Sequence, residues 1–391
     1  MAFTLRGVRT VEVPSFPWPD GRPHRGPDRW VDLEIAGGRI AAITPAGGEP
    51  QPVTVIPGMV DLHVHGGGGA SFDAPDAEQV RAVAAYHHHH GSTAMLASLV
   101  TAPTDRLRRS CALLGELTRG GVVAGIHLEG PFLSPRRCGA QDPRYIVAPN
   151  VDLLEQLWQD AAGQIAMVTI ACEQPGALEV IQWCVAHDVI AAVGHTDADA
   201  DATRQAVDSG ARIATHLFNA MPPLHHRAPG PVGVLLADPR VTCELIFDGG
   251  HIAATVARIV VAAAGPERIA AVTDAIAASG LPDGRYTLGG LNVYAQSGVV
   301  RLADSGALAG STTTMGDSLR RVVSWGIALP DAVMMHSHTP ALRLGLPEGL
   351  KEGNPADLVL LDDALTIQGV LRAGVAVPGL PLSETLPAGP D

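Results

Sequence analysis

From residue 56 to about residue 273, apolar runs alternate with stretches of helical period. The runs are Ile56–Val64, Thr93–Val100, Val122–Leu128, Ile165–Ala171, Val189–Val193, Arg212–Leu217, Thr242–Phe247 and Arg268–Thr273, eight in all. Short runs of this kind read as buried strands. Helical stretches fill the gaps at Asp76–His90, Thr104–Arg119, Val151–Ala162, Ala177–His187, Asp199–Ser209 and Ala253–Ala264, with only a short one near Val232–Ala237. Alternating strand and helix predicts a parallel sheet. Eight such units predict an α/β fold closed as a (β/α)8, TIM-like barrel.

The flanks have another pattern. Trp30–Ile35 alternates, Gly37-Gly38 supplies a turn, and Ile40–Ile43 returns, which reads as a hairpin. A proline-rich loop around Pro14–Pro27 precedes it. Pro282–Gly310 reads as an insertion of short strands and turns, and Thr313–Gly326 and Pro330–Gly345 read as helices. The β pattern resumes at Ala356–Asp362 and Ile367–Val377. The expected division is a small β-sandwich from residues 1–55 and 345–391, with the barrel spanning 56–344.

A (β/α)8 barrel carries its working residues just after the strands, at the C-terminal face. Six of the eight runs end in groups able to bind metal or move protons: His63 and His65, His127 and Glu129, His195 and Asp197, His216, Asp248 and His251, and Asp274. Residues scattered through core or surface would not collect at one rim. His63 and His65 are two apart on a strand, so they share a face, and four glycines, Gly66–Gly69, follow them. Histidines with one carboxylate suit Zn²⁺ or Fe²⁺. Such an ion lowers the pKa of bound water, and Asp274 is then placed as a base. No G-x-S-x-G elbow and no P-loop motif occurs, which disfavours a serine hydrolase and a nucleotide-phosphate enzyme.

Composition narrows the field further. The 391 residues are 46% hydrophobic, enough for a sizeable core, and 27 Lys and Arg face 40 Asp and Glu for a net charge of −13. With no basic stripe, nucleic acid is not an expected partner. No apolar run reaches membrane length, and Met1–Arg6 lacks the regions of a signal peptide. Five cysteines without C-x-x-C spacing suggest reduced thiols. The expectation is a cytoplasmic enzyme.

The motifs PGMVDLHVHGGGG (57–69), HLEGPFLSP (127–135), GHTDA (194–198), THLFNAMPPLHHRAPGPVG (215–233), VTDA (272–275) and LAGSTTTM (308–315) resemble the N-acetylglucosamine-6-phosphate deacetylases of the amidohydrolase superfamily. The resemblance runs along nearly the whole chain. It implies Glu129, His195 and His216 as ligands of the main metal, and His63 and His65 as a second metal position. It implies one or two divalent ions, Zn²⁺ before Fe²⁺, and Asp274 as the catalytic acid/base. Asn219, Ala220, Arg227 and His251 match the sugar-phosphate site, with Arg227 reaching across a homodimer interface. The backbone of Leu308 and Ala309 matches part of the substrate wall. One position departs from the pattern. Where the family carries Gly-Ala-His or Gly-Thr-His, with the histidine on the acetyl carbonyl, this chain has Gly139-Ala140-Gln141. The galacto epimer of the substrate is the alternative, and a non-catalytic sugar-phosphate sensor is a second class of reading.

Several eye-catching residues have plainer explanations. His87–His90 end a helix, where the dipole favours them. His127 reads equally as a second layer of the site or as a packed core histidine. Asp197, Asp199 and Asp201 read as helix N-terminal acids. Cys138 has no evident base, and Asp61 reads as a buried partner that orients the first strand.

Overall fold

The computed structural model describes residues 2–11, 13 and 29–382; the proline-rich stretch at 14–27 lies outside them. Contacts divide the chain into two compact units: Met1–Val60 with His87–Ala94 and Met315–Asp391, and Asp61–Tyr86 with Met95–Thr314.

The second unit carries most of the eight-stranded parallel sheet. Its strands are β1 (Met59–Val64), β2 (Ser92–Val100), β3 (Gly125–Glu129), β4 (Ile165–Ile170), β5 (Ile190–Val193), β6 (Ile213–Ala214), β7 (Thr242–Ile246) and β8 (Ile269–Val272), hydrogen-bonded in sequence order. The circle closes between the last strand and the first. Asp274 N–H donates to the His63 carbonyl at 2.8 Å, and His65 N–H donates to the Ala275 carbonyl at 2.8 Å. Asp61, wholly buried on β1, adds to this seam. It accepts from the Thr273 hydroxyl at 2.6 Å and from the Thr273 and His63 N–H groups at 3.2 Å. Burial outweighs those bonds and raises the Asp61 pKa to about 7. The helices stand in the gaps where the apolar period placed them, from Ala77–His89 to Ala254–Ala264.

Strand β6 is shorter than its apolar run. His216 and Phe218 take left-handed backbone, with φ of 29° and 81°, so extended geometry stops before the run does. The insertion after β8 is a four-stranded antiparallel sheet, Gly284–Leu288, Leu291–Gln296, Val299–Leu302 and Leu308–Ser311. It packs Leu288, Val293, Val300 and Ala309 into one cluster with Ile276.

In the first unit both chain ends join one seven-stranded sheet, in which Thr54–Pro57 pairs with Leu358–Leu361 and with Ala2–Thr10. Leu33, Ile35, Val55, Leu358 and Leu371, from both halves of this sheet, share one apolar cluster. The run Ile56–Val64 is therefore two strands, split at Gly58. A Cβ there would lie 2.0 Å from the Thr93 hydroxyl, so only glycine lets the backbone pass. Segments 87–94 and 315–345, which the sequence pattern gives to the barrel, cluster with this unit. Gly91 and Gly316 press against Ile367 so closely that a Cβ would meet its Cδ1 at 3.0 and 2.8 Å.

Candidate active site

The strand ends of the barrel bring the predicted ligands together in two triads, His63–His65–Asp274 and Glu129–His195–His216. All six residues are buried. Glu129 Oε1 lies 3.0 Å from Nε2 of both His195 and His216 and 3.4 Å from His63 Nε2, while Oε2 lies 3.3 Å from His65 Nε2. Asp274 Oδ1 lies 3.2 Å from His65 Nε2 and 3.6 Å from His63 Nε2. Glu129 thus stands between the triads, and Asp274 faces the H-x-H pair.

Local backbone sets these directions. His195, His216 and Asp274 each follow a strand and each has left-handed φ, at 46°, 29° and 48°. Such φ is uncommon outside glycine, and it collects at functional sites where surrounding structure holds it. Here the braces are visible. Glu173 accepts from the Thr196 hydroxyl and from Asp197 N–H, which clamps the residues after His195. The Asp274 carbonyl accepts Ser311 N–H at 2.7 Å, and the Ser311 hydroxyl donates to the Thr273 carbonyl. The LAGS stretch at 308–311 is therefore a main-chain support for Asp274.

The ring tautomers test whether these triads suit cations. His65 Nδ1 meets the Ser98 carbonyl at 3.2 Å, and His195 Nδ1 meets the Arg137 carbonyl at 2.9 Å. A carbonyl only accepts, so each Nδ1 carries a proton and each ring turns its Nε2 inward. These Nε2 atoms face carboxylate oxygens and one another, with His63 and His65 Nε2 3.1 Å apart and His195 and His216 Nε2 3.0 Å apart. Lone pairs this close repel unless positive charge sits among them. The carboxylates already favour it. Against desolvation, hydrogen bonds to Asp274 and Glu129 raise the His65 pKa to about 9, and His63 rises likewise beside Glu129 and Asp274. Burial would raise Glu129 and Asp274, but the neighbouring histidines hold both carboxyls low. The donor set fits divalent ions of the zinc or iron type.

Beside the triads opens a cavity of about 300 Å³. Its wall includes Ala140, Gln141, Asn219, Ala220, His251 and Leu308, six of the predicted substrate residues. Gln141 is held at both ends: its oxygen accepts Thr101 N–H at 2.7 Å, and its nitrogen donates to Glu129 Oε2 at 2.5 Å. His251 Nδ1 pairs with Asp248 Oδ2 at 2.7 Å. Desolvation lowers the His251 pKa, but the bond to Asp248 outweighs it and the ring is raised. Ala309 is not on the wall; it is buried in the cluster of the inserted sheet. Arg227 is exposed, outside the wall residues, with its guanidinium donating to His226 Nε2 at 2.9 Å.

His127 lies behind the ligands, bonded to Ser98 and Thr169 hydroxyls at 2.9 and 2.8 Å, with burial keeping its pKa well below the usual range. Asp199 is a helix N-cap, but Asp197 instead receives Arg137 at 2.8 Å. Glu244 escaped the sequence reading, although a carboxylate inside the apolar run Thr242–Phe247 was its signal. Of the cysteines, Cys111, Cys172, Cys184 and Cys243 are buried free thiols, and burial pushes each up to about 12. Among the described residues no helix is long and apolar enough to cross a membrane.

Residues 54–377 match the amidohydrolase family. The chain belongs to the amidohydrolase family. Its members use a divalent metal, in keeping with the two triads. The chain is 38% identical over 366 residues to an N-acetylgalactosamine-6-phosphate deacetylase of Escherichia coli, covering 88% of this chain and 95% of that one. It is 34% identical over 340 residues to an N-acetylglucosamine-6-phosphate deacetylase of Vibrio furnissii, covering 85% and 84%. Its fold matches a mutant N-acetyl-D-glucosamine-6-phosphate deacetylase from Mycobacterium smegmatis, in complex with N-acetyl-D-glucosamine-6-phosphate. That match has a TM-score of 0.88 and 41% identity, and covers 96% of this chain and 99% of that one.

Proposed function

We propose that this chain hydrolyses the acetamide of N-acetyl-D-glucosamine 6-phosphate to D-glucosamine 6-phosphate and acetate. The observation that carries the reading is the likeness, over 96% of the chain, to a deacetylase holding that sugar phosphate. The position of Asp274 supports it, since a buried carboxylate at the strand end, against the H-x-H pair, has a base's place.

A bound divalent ion supplies two things, a lowered pKa for water and polarisation of a carbonyl. Glu129, His195 and His216 would hold one ion, and His63, His65 and Asp274 a second, with zinc the expected metal. Asp274, its carboxyl held low by the neighbouring histidines, accepts the proton of the attacking water. It then returns that proton to the amine nitrogen as the C–N bond breaks. Gln141 presents an amide N–H on the cavity wall, where the acetyl oxygen gathers charge. His251, its pKa raised by Asp248, suits an anionic substrate group. Arg227 is assigned to the phosphate from across a homodimer. The reaction is that of a cytoplasmic enzyme of amino-sugar catabolism and cell-wall recycling.

The galacto epimer is the second reading, favoured by the 38% identity to the Escherichia coli enzyme. Acetate release from both epimeric 6-phosphates, with metal content measured in parallel, tests the proposal. Turnover of the gluco substrate at the higher kcat/KM is expected. Turnover of the galacto epimer alone would replace it, and binding without acetate release from either would make the protein a sensor.

A further inference from the structure

The four triad histidines are backed in three different ways. His65 and His195 give Nδ1 to backbone carbonyls. His216 Nδ1 is buried without a hydrogen-bond partner. His63 alone faces a carboxylate, with Nδ1 3.2 Å from Glu244 Oε2. Glu244 stands on β7 with no exposed surface. The same Oε2 accepts the His216 backbone N–H at 3.2 Å. One oxygen therefore holds a ligand of one triad by its ring and a ligand of the other by its main chain.

A backbone carbonyl would fix the His63 tautomer just as well. What a carboxylate adds is charge. Among the described residues no Lys or Arg pairs with Glu244; its ion-pair contact is His63. Its second oxygen, Oε1, is buried without a partner. A site buried this completely is a poor solvent for a carboxylate's charge, and a cation nearby is what favours it there. The direction in which that charge is available is through His63, whose Nε2 faces His65 Nε2 at 3.1 Å, Glu129 Oε1 at 3.4 Å and Asp274 Oδ1 at 3.6 Å.

We infer that Glu244 is a positioning residue that makes His63–His65–Asp274 a high-affinity cation position: it fixes the His63 ring and supplies the negative charge that draws the ion. Carboxylates behind metal-bound histidines raise ligand basicity and hold ring orientation. This inference rests on reading the triads as metal sites and not on the identity of the substrate.

The test is metal binding. Parent and variant proteins are stripped with a chelator and titrated with Zn²⁺ in competition with a chromophoric chelator, and bound metal is counted by elemental analysis. The parent takes up two equivalents. Glu244→Gln preserves the acceptor oxygen and removes the charge, so two equivalents remain but one binds about ten- to a hundredfold more weakly. Glu244→Leu removes both features and leaves one equivalent. In a His63→Ala background, Glu244→Gln changes nothing further, because the route through His63 is gone. A general packing role would not produce that silence. The inference is overturned by a Glu244→Gln protein with the parent's two affinities, by equal weakening of both ions, or by a parent that binds one ion. Glu244→Gln is close to isosteric, so the test stands even where Glu244→Leu does not fold. Acetate release plays no part in the readout, so a failed hydrolase assay with these metal results sinks the proposed reaction and supports this role.

Discussion

The backbone N–H of Asp274 donates to the carbonyl of His63 at 2.8 Å. The assigned base and the first residue of the H-x-H pair are thus fixed to one another by main chain, not only by side-chain contact. Since that bond also closes the barrel, the seam of the fold and the reacting geometry are one feature. Side-chain substitutions at Asp274 should leave it in place.

Asp274→Asn should therefore keep the fold and lose turnover. The amide is nearly isosteric but accepts no proton from water, and loss of a general base costs roughly 10²–10⁴-fold. Steady-state acetate release, with a thermal melt as the control for folding, measures this. Activity within a few-fold of the parent would remove Asp274 from proton transfer.

His195→Ala and His63→Ala should separate the two triads. His195 contacts Glu129 Oε1 at 3.0 Å and His216 Nε2 at 3.0 Å, so its loss strips the ion of that triad and abolishes activity. His63→Ala should reduce bound metal by one equivalent while the other ion remains. Elemental analysis after dialysis distinguishes the cases, and unchanged metal content in His63→Ala would leave the H-x-H pair without an ion.

Arg227→Ala should raise KM for the phosphorylated sugar far more than for the unphosphorylated one, because a guanidinium forks onto phosphate oxygens. Its exposure and its place outside the wall residues set a second test. If Arg227 serves a partner's site, mixing Arg227→Ala with Asp274→Asn protein should restore part of the activity in heterodimers. Equal losses on both substrates, or no restoration on mixing, would confine Arg227 to its own surface.

Gln141→Ala removes both the Thr101 and the Glu129 bonds. Turnover should fall by roughly tenfold or more, because a ligand carboxylate loses its orienting donor. Gln141→His restores the residue type of the deacetylases this chain resembles and should retain activity on the gluco substrate. Kinetics with both epimers decide the matter. An alanine variant equal to the parent on each would take Gln141 out of the reaction, and a histidine variant that fails only on the gluco epimer would favour the galacto reading.

Stability should fall in mild acid for reasons remote from the site. Burial lowers His88, His336 and His338 from 6.5 to about 4; the nearby Arg372 adds to the shift at His88, and Lys351 at His338. The unfolded chain binds these protons at higher pH than the folded one, so stability is full above about pH 6.5 and declines as pH falls toward 4. Each histidine contributes a slope of up to about 1.4 kcal/mol per pH unit in that window. Urea unfolding at a series of pH values measures it, and a flat profile between about pH 6.5 and 4.5 would contradict it.

The sequence by itself determined the barrel and which polar residues gather at its rim. Apolar runs alternating with helical stretches leave few topologies, because strand and helix periods cannot substitute for one another, and a barrel must carry its ligands at strand ends. His63, His65, Glu129, His195, His216 and Asp274 were legible for that reason, as residue type and position coincided. What tertiary structure decided depends on distance across the sheet. Glu244 and His63 are far apart in sequence, and only the closed circle of strands puts Oε2 against Nδ1. Gln141 stands in the sequence where the family histidine meets the acetyl carbonyl, yet both ends of its amide are engaged by Thr101 and Glu129. The division of Ile56–Val64 at Gly58, the burial of Ala309 and the exposure of Arg227 were likewise hidden. An apolar or charged letter states what a side chain prefers to touch. Which neighbour it meets is settled only when the elements have packed.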